Sequence, residues 1–301
     1  MRRLVAGVFV LWGVASATFF AIHTTGDPIT SGLAESGASL ADIARIKHNL
    51  GFDQPILVQY WSFLTHMVHG DFGNSFTYGS SAAKLVLQRL PATLQLAGLA
   101  LLLTVIVSIP LGVIAAYRSG SVIDRLIGLF AGAGQSIPNF VIGPILILLF
   151  AVTWTILPAG GADQTKSIVL PAFTLAFYPM GRVIRMMRTT AIRVMTLDYI
   201  DTARSKGISE LAVVLRHVVR NSLISVITLL GLELTGLIGG AVIVENVFGW
   251  PGVGSLARQA FATRDFPVAQ AIIVNVAVIV VVINLLTDVA YSVVDPRIRV
   301  H

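Results

Sequence analysis

Long apolar stretches separated by short polar ones dominate the chain. A helix rises about 1.5 Å per residue and bilayer hydrocarbon is about 30 Å thick, so about 20 apolar residues cross it. Six segments reach that length: Leu4–Ile22, Thr93–Tyr117, Leu126–Val152, Ile168–Met187, Leu223–Val244 and Val268–Val289. The pattern predicts an all-α, polytopic membrane protein with six transmembrane helices. The third segment carries Pro138 and Pro144, and the fourth carries Pro171, Pro179 and Arg182 near one end. Proline survives in a spanning helix where neighbours or water satisfy the carbonyls it frees. Pro138 therefore marks either a kink or a break; five spans, or seven with a full split there, are the alternatives to six.

Arg2 and Arg3 followed by an apolar run and Ala15-Ser-Ala17 resemble a secretory leader with its cleavage site. The run continues past that site through Phe19, Phe20 and Ile22, so a retained anchor is expected. The polar region that follows, about 23–91, is too long for a simple turn. Its periodicity predicts helices at Ser39–Leu50 and Ile56–Val68, and an amphipathic approach helix at Ser81–Leu90. The chain thus divides into 1–92, an anchor with an external region, and 93–301, a helical core.

Composition agrees with the pattern. Of 301 residues 55% are hydrophobic and 12% charged, against about 25% charged in soluble domains. Mean hydropathy is +0.82. The net charge of +6 comes without any run that combines basic and aromatic residues, so nucleic acid is not the expected partner. Lipid headgroups are. The absence of cysteine excludes disulfides, thiolate zinc sites and cysteine-ligated clusters. Basic residues gather on the inner side of a bilayer, and placing both termini inside puts the basic segments there. The loop from Arg182 to Arg220 alone holds eight basic and three acidic residues.

That loop contains the most polar stretch of the chain. Asp198 is expected to cap a helix, with Asp201 three residues on as a weaker capping box. Arg204 and Lys206 fall in its last turn, where cations suit the dipole, and Gly207 supplies a left-handed stop. Ser209 is expected to cap a second helix with Leu211, Val214, Leu215 and Val218 on one face. The product is a helix–glycine–helix elbow in the plane of the inner leaflet. By physics alone it is either an interfacial connection or a lever that a soluble partner moves.

Polar residues inside spans usually face the bundle interior or a wet cavity. Gln95, Gln135, Ser136, Asn139, Glu233 and Asn275 are the candidates for a translocation pathway. Glu233 either pairs with a neighbouring helix or meets an amino terminus or cation in a cavity. A break at Pro138 would place Gln135 and Asn139 beside a substrate route. Gly128-x-x-x-Gly132 and Gly236-x-x-x-Gly240 permit close helix crossing. His66-x-x-His69 has helical spacing with only Asp71 nearby, so no metal site is expected. No His-Glu-x-x-His, Gly-x-Ser-x-Gly or phosphate-loop pattern is present, which points away from an enzyme.

Asp201-Thr-Ala203 with Gly207, followed by Arg216-His-Val-Val-Arg-Asn-Ser222, resembles the EAA loop of ABC importer permeases, in the form found in the peptide and nickel branch. Asp-Thr-Ala stands where the family has Glu-Ala-Ala, and Val-Arg where it has Leu-Pro. The resemblance runs along nearly the whole chain. It includes Gly26-Asp-Pro28, Asp53-Gln-Pro55, Gly70-Asp-Phe-Gly73, Arg89-Leu-Pro-Ala-Thr93, Gln135-Ser-Ile-Pro-Asn-Phe140, Glu245-Asn-Val-Phe-Gly-Trp-Pro-Gly-Val-Gly254 and Asp295-Pro-Arg-Ile-Arg299.

The resemblance implies a type I importer permease fold in a bacterial inner membrane. It implies as partners a second permease, two cytoplasmic ATPases and an external substrate-binding protein. The elbow, Asp198, Asp201, Thr202, Ala203, Arg204, Ser205, Lys206, Gly207 and Ser209, would then couple to an ATPase. ATP and magnesium would bind the partners, with no cofactor in this chain. Peptides are the expected cargo. Nickel chelates and glutathione travel through the same branch, and an ion-coupled secondary transporter is the rival class.

Overall fold

In the computed structural model residues 2–24, 48 and 53–294 are described, and their regular structure is helical apart from one isolated bridge between Asn74 and Ser81. The expected helix Ser39–Leu50 falls almost wholly outside these residues, as do the Gly26–Pro28 and Asp295–Arg299 motifs. The elements are α1 (Arg2–Thr24), α2 (Ile56–Val68), α3 (Ala82–Tyr117), α4 (Val122–Ser136), α5 (Asn139–Leu146), α6 (Val169–Met195), α7 (Asp198–Ser205), α8 (Glu210–Val213), α9 (Arg220–Phe248), α10 (Val253–Ala262) and α11 (Phe266–Val294). A π-helical stretch, Ile147–Thr153, prolongs α5, and another, Val214–Val219, joins α8 to α9.

Among the described residues four helices are long and apolar enough to cross a membrane: α3, α6 with its leading turn, the Glu210–Phe248 run, and α11 as far as Val289. The pair α4 and α5 makes a fifth if its two arms count as one span. The apolar part of α1 is Val5–Ala21, at the short end of the roughly 17–25 residues that span. Two expectations change. The approach helix Ser81–Leu90 and the second span are one continuous helix of 36 residues. The third span is no straight helix, because its arms are bent by 113°.

Two compact units emerge. The first comprises 1–93 and 251–282. Its core sets Ala82 and Val86 of α3 against Val253, Leu256 and Ala260 of α10 and Val268 and Ile272 of α11. Asp265, fully buried, accepts hydrogen bonds from Ser75 Oγ, from Phe76 N at 3.3 Å and from Thr77 N at 3.1 Å. Phe19 stacks on Phe63 and Phe20 on Tyr60, joining α1 to α2.

The second unit comprises 94–250 and 283–301, and α6 is its central helix. Within its apolar window 72% is buried, and it packs most extensively against α9 and α4. The approach to α4 is unusually close. A Cβ on Gly134 would lie 2.5 Å from Phe177 O, and one on Gly181 would lie 2.3 Å from Ala131 O. These are the glycines at the crossing. Around Gly128 and Gly236 there is open space, so the expected small-residue pairs do not pack, although Gly240 approaches Leu175. A bidentate ion pair ties the same two helices: Arg188 Nε to Asp124 Oδ1 at 2.6 Å and Nη2 to Oδ2 at 2.8 Å. Gly120 N also donates to Asp124 Oδ2, at 2.8 Å.

Candidate functional site: an elbow and a cavity

The elbow follows directly from α6. Its first helix begins at Asp198, so Leu197 holds the cap position and no side chain caps the helix end. The capping role expected of Asp198 is thereby corrected. Asp198 and Asp201 instead stand in the first turn, where a carboxylate favours the positive end of the helix dipole. Ile200 and Ala203 bury themselves with Ala191, Val194, Val213 and Val218.

Gly207 stops the helix with φ +78°. Gly207 N donates to Arg204 O at 2.9 Å and Ile208 N to Ala203 O at 3.4 Å. This nested pair is the Schellman arrangement, which satisfies carbonyls that the helix end would leave open. A residue without a Cβ takes the left-handed conformation at little cost.

Arg204 braces the bend. It donates through Nε to Glu210 Oε2 at 3.1 Å, through Nη2 to Glu210 Oε1 at 2.9 Å, and through Nη1 to Asp201 Oδ1 at 3.2 Å. The bonded Glu210 carboxylate, with Asp201 beside it, holds this guanidinium above its ordinary pKa. A second strap runs from Asn221 Nδ2 to Tyr199 Oη at 3.1 Å. Thr202, Ser205 and Lys206 remain exposed on the outer face.

Ser209 stands at the cap position of α8, where Val213 N reaches its carbonyl at 3.0 Å, but its hydroxyl makes no capping bond. The apolar face of α8 also differs from expectation. Val213, Val214 and Val218 are buried, whereas Leu211 and Leu215 are 70% and 58% exposed. The π-helical stretch widens the turn from Val214 onward, so a strict 3.6-residue reading loses the phase.

The cavity lies where α4 and α5 part. Pro138 lacks the N–H that would bond back into the helix and disfavours helical backbone at the residue before it, and Ile137 is extended at φ −96°, ψ 117°. The opening has a volume of about 510 Å³ and is lined by Gln135, Ser136 and Asn139, by Tyr178 and Arg182 of α6, and by Glu233 of α9. Glu233 is buried, and Arg182 Nη1 stands 2.7 Å from its Oε1. No aligned hydrogen bond forms at that oxygen, so the contact is an ion pair. Arg182 also lies over the Tyr178 ring, 6.0 Å from its centre, within cation–π range.

Four of the six pathway candidates therefore meet here: Gln135, Ser136, Asn139 and Glu233. Gln95 and Asn275 do not line the cavity. Gln95 is exposed on α3, and Asn275 donates to Ala271 O of its own helix at 2.7 Å, which lets a polar side chain sit in an apolar helix without a cavity. Arg182 and Tyr178 are the residues that the sequence reading missed. Arg182 sits midway along α6 and not in the following loop. The signal was that Arg182 is the first basic residue to follow the apolar run from Ile168 to Gly181, a depth that calls for an intramembrane partner. Among the described residues no group of His, Asp and Glu is placed to hold a metal ion.

Comparison with known proteins bears on the family and the fold. The model of the binding-protein-dependent transport system inner membrane component family matches residues 108–300, and that of its N-terminal part matches 1–97. The oligopeptide transport system permease protein AppB of Bacillus subtilis is 39% identical over 311 residues, covering 99% of this chain and 98% of that protein. The glutathione transport system permease protein GsiC of Salmonella typhimurium is 36% identical over 300 residues, with the same coverage. Among solved structures, the inward-facing MetNI methionine ABC transporter superposes with a TM-score of 0.58 at 18% identity, over 70% of this chain and 96% of that one. An amino acid ABC transporter gives 0.52, also at 18%. At such identity the likeness speaks for the fold, that of an ABC importer permease.

Proposed function

The chain belongs to the family of binding-protein-dependent transport system inner membrane components, and from that premise we propose that it forms half of the pathway of an ATP-driven peptide importer. A second permease completes the pathway. Two cytoplasmic ATPases bind ATP and magnesium and supply the power, and an external binding protein delivers di- or oligopeptides. The chain lies in a bacterial inner membrane with both termini inside. Its six spans are α1, α3, the bent α4–α5 pair, α6, α9 and α11. The transport systems to which its relatives belong support peptide cargo, and glutathione is itself a tripeptide.

One observation carries the mechanism. The elbow is the direct continuation of α6 on one side and of α9 on the other, and these two helices hold Arg182 and Glu233 across the cavity. A push on Thr202 and Ser205 therefore reaches both walls. The Arg204 brace and the buried Ile200 and Ala203 make the elbow stiff enough to transmit displacement and not absorb it. Asp198, Asp201, Thr202, Ala203, Arg204, Ser205, Lys206, Gly207 and Ser209 form the coupling element.

Reconstitution tests the proposal. The assembled complex in proteoliposomes is given internal ATP, external binding protein and radiolabelled peptide. Uptake that requires both ATP and the binding protein is expected. Robust uptake by this chain alone, driven by an ion gradient, would overturn the reading in favour of a secondary carrier.

A further inference from the structure

Arg182 and Glu233 make an unusual pair for a spanning bundle. One charge of each sign stands in a single cavity, and the two are not equally reachable. The Glu233 side chain is 5% exposed, whereas that of Arg182 is 41% exposed. Their contact at 2.7 Å lacks an aligned hydrogen bond, so each partner keeps bonding capacity that the other does not use. Gln135, Ser136 and Asn139 surround them with further donors and acceptors. The net charge of the pair is zero. A simple cation or anion entering the cavity would have to leave one protein charge unmatched, at high cost in a low dielectric. A molecule that brings one charge of each sign would not.

We propose that Arg182 and Glu233 are the specificity-determining residues of a site for zwitterionic peptides, Arg182 taking the terminal carboxylate and Glu233 the terminal ammonium. This rests on the peptide reading above and deepens it. The carboxylate competes for the exposed guanidinium first. Arg182 then leaves Glu233, which is free to accept the ammonium. One internal ion pair is exchanged for two intermolecular ones, with no buried charge left alone at the end. Because Arg182 rides on α6 and Glu233 on α9, displacement of the elbow that separates these helices also separates the pair. Binding is thereby linked to the state of the pathway, and closing of the pair expels the peptide.

The test uses the assembled complex in nanodiscs without the binding protein, so that selection by the latter does not enter. Equilibrium dialysis measures retention of radiolabelled trialanine with free ends, with an acetylated amino terminus, or with an amidated carboxyl terminus. In the natural protein each blocked peptide is expected to bind at least about tenfold more weakly than the free one. Glu233→Gln abolishes the difference between free and acetylated peptide and keeps that against the amide, and Arg182→Gln does the reverse. Where a single variant fails to accumulate, Arg182→Gln with Glu233→Gln removes both charges together and is expected to bind all three peptides alike.

Equal binding of blocked and free peptides by the natural protein, no binding of any, or a uniform loss across all three in the variants would overturn the proposal. Uptake of trialanine by the complete transporter is measured alongside. Uptake without end discrimination removes only the role of the pair, whereas no uptake of any peptide removes the peptide importer itself.

Discussion

Arg204 reaches Glu210 with two nitrogens, Nη2 to Oε1 at 2.9 Å and Nε to Oε2 at 3.1 Å, and the two residues lie on opposite sides of the Gly207 bend. The pair joins the limbs of the elbow across the bend, both side chains partly exposed. An arginine that basic patterning marks for an external partner is used to stiffen the element that the partner would move. Exposed pairs contribute little to global stability. Arg204→Gln is therefore expected to leave the thermal midpoint of the complex nearly unchanged while amide exchange across 198–213 quickens. Unchanged exchange there would show that the brace is idle.

Gly207→Val addresses the bend itself. At φ +78° a residue with a Cβ pays about 1–2 kcal/mol, and β-branching adds to the strain. The complex is expected to assemble and hydrolyse ATP while peptide uptake per ATP falls several-fold. The check is simultaneous measurement of uptake and phosphate release in proteoliposomes.

The crossing of α4 and α6 has no room for a methyl group. Gly181→Ala would place Cβ 2.3 Å from Ala131 O, and Gly134→Ala would place it 2.5 Å from Phe177 O. Overpacking of this kind costs about 1–3 kcal/mol or more. Both variants are expected to lower the yield and thermal stability of membrane-inserted protein, and Gly128→Ala, which meets nothing within 4 Å, is not.

Asp124 accepts from two nitrogens of Arg188 and from the Gly120 amide. Asp124→Ala strips all three donors of their acceptor and is expected to cost about 2 kcal/mol. Arg188→Lys should not behave as natural protein, because an ammonium cannot reproduce the planar two-point contact. Thermal unfolding of the purified complex measures both.

Features with a local cause were legible in the sequence. Gly207 announced a left-handed stop, Pro138 announced a discontinuity, and Ile56–Val68 appears with the bounds its periodicity suggested. Azimuth was not legible. Gln95, Asn275 and Glu233 look alike as polar residues in greasy helices, yet only Glu233 lines the cavity, since the direction in which a helix turns its face depends on its neighbours. The glycine crossing followed the same rule: Gly128 and Gly132 carry the familiar spacing, but Gly134 and Gly181 make the approach. Leu211 and Leu215 were misplaced because the π-helical stretch after Val213 alters the turn on which the pattern depends. Arg182 was hidden by its basic neighbours Arg185 and Arg188, with which it reads as one inner cluster.

Site-specific photo-cross-linking most directly tests the claim that another polypeptide drives the elbow. A photoreactive residue is placed at Thr202 or Ser205, both exposed on the outer face, and the complex is irradiated in its native membrane. Cross-links to an ATPase subunit whose yield changes between nucleotide-free and ATP-bound states are expected. Cross-links to lipid alone, in every nucleotide state, would contradict the account.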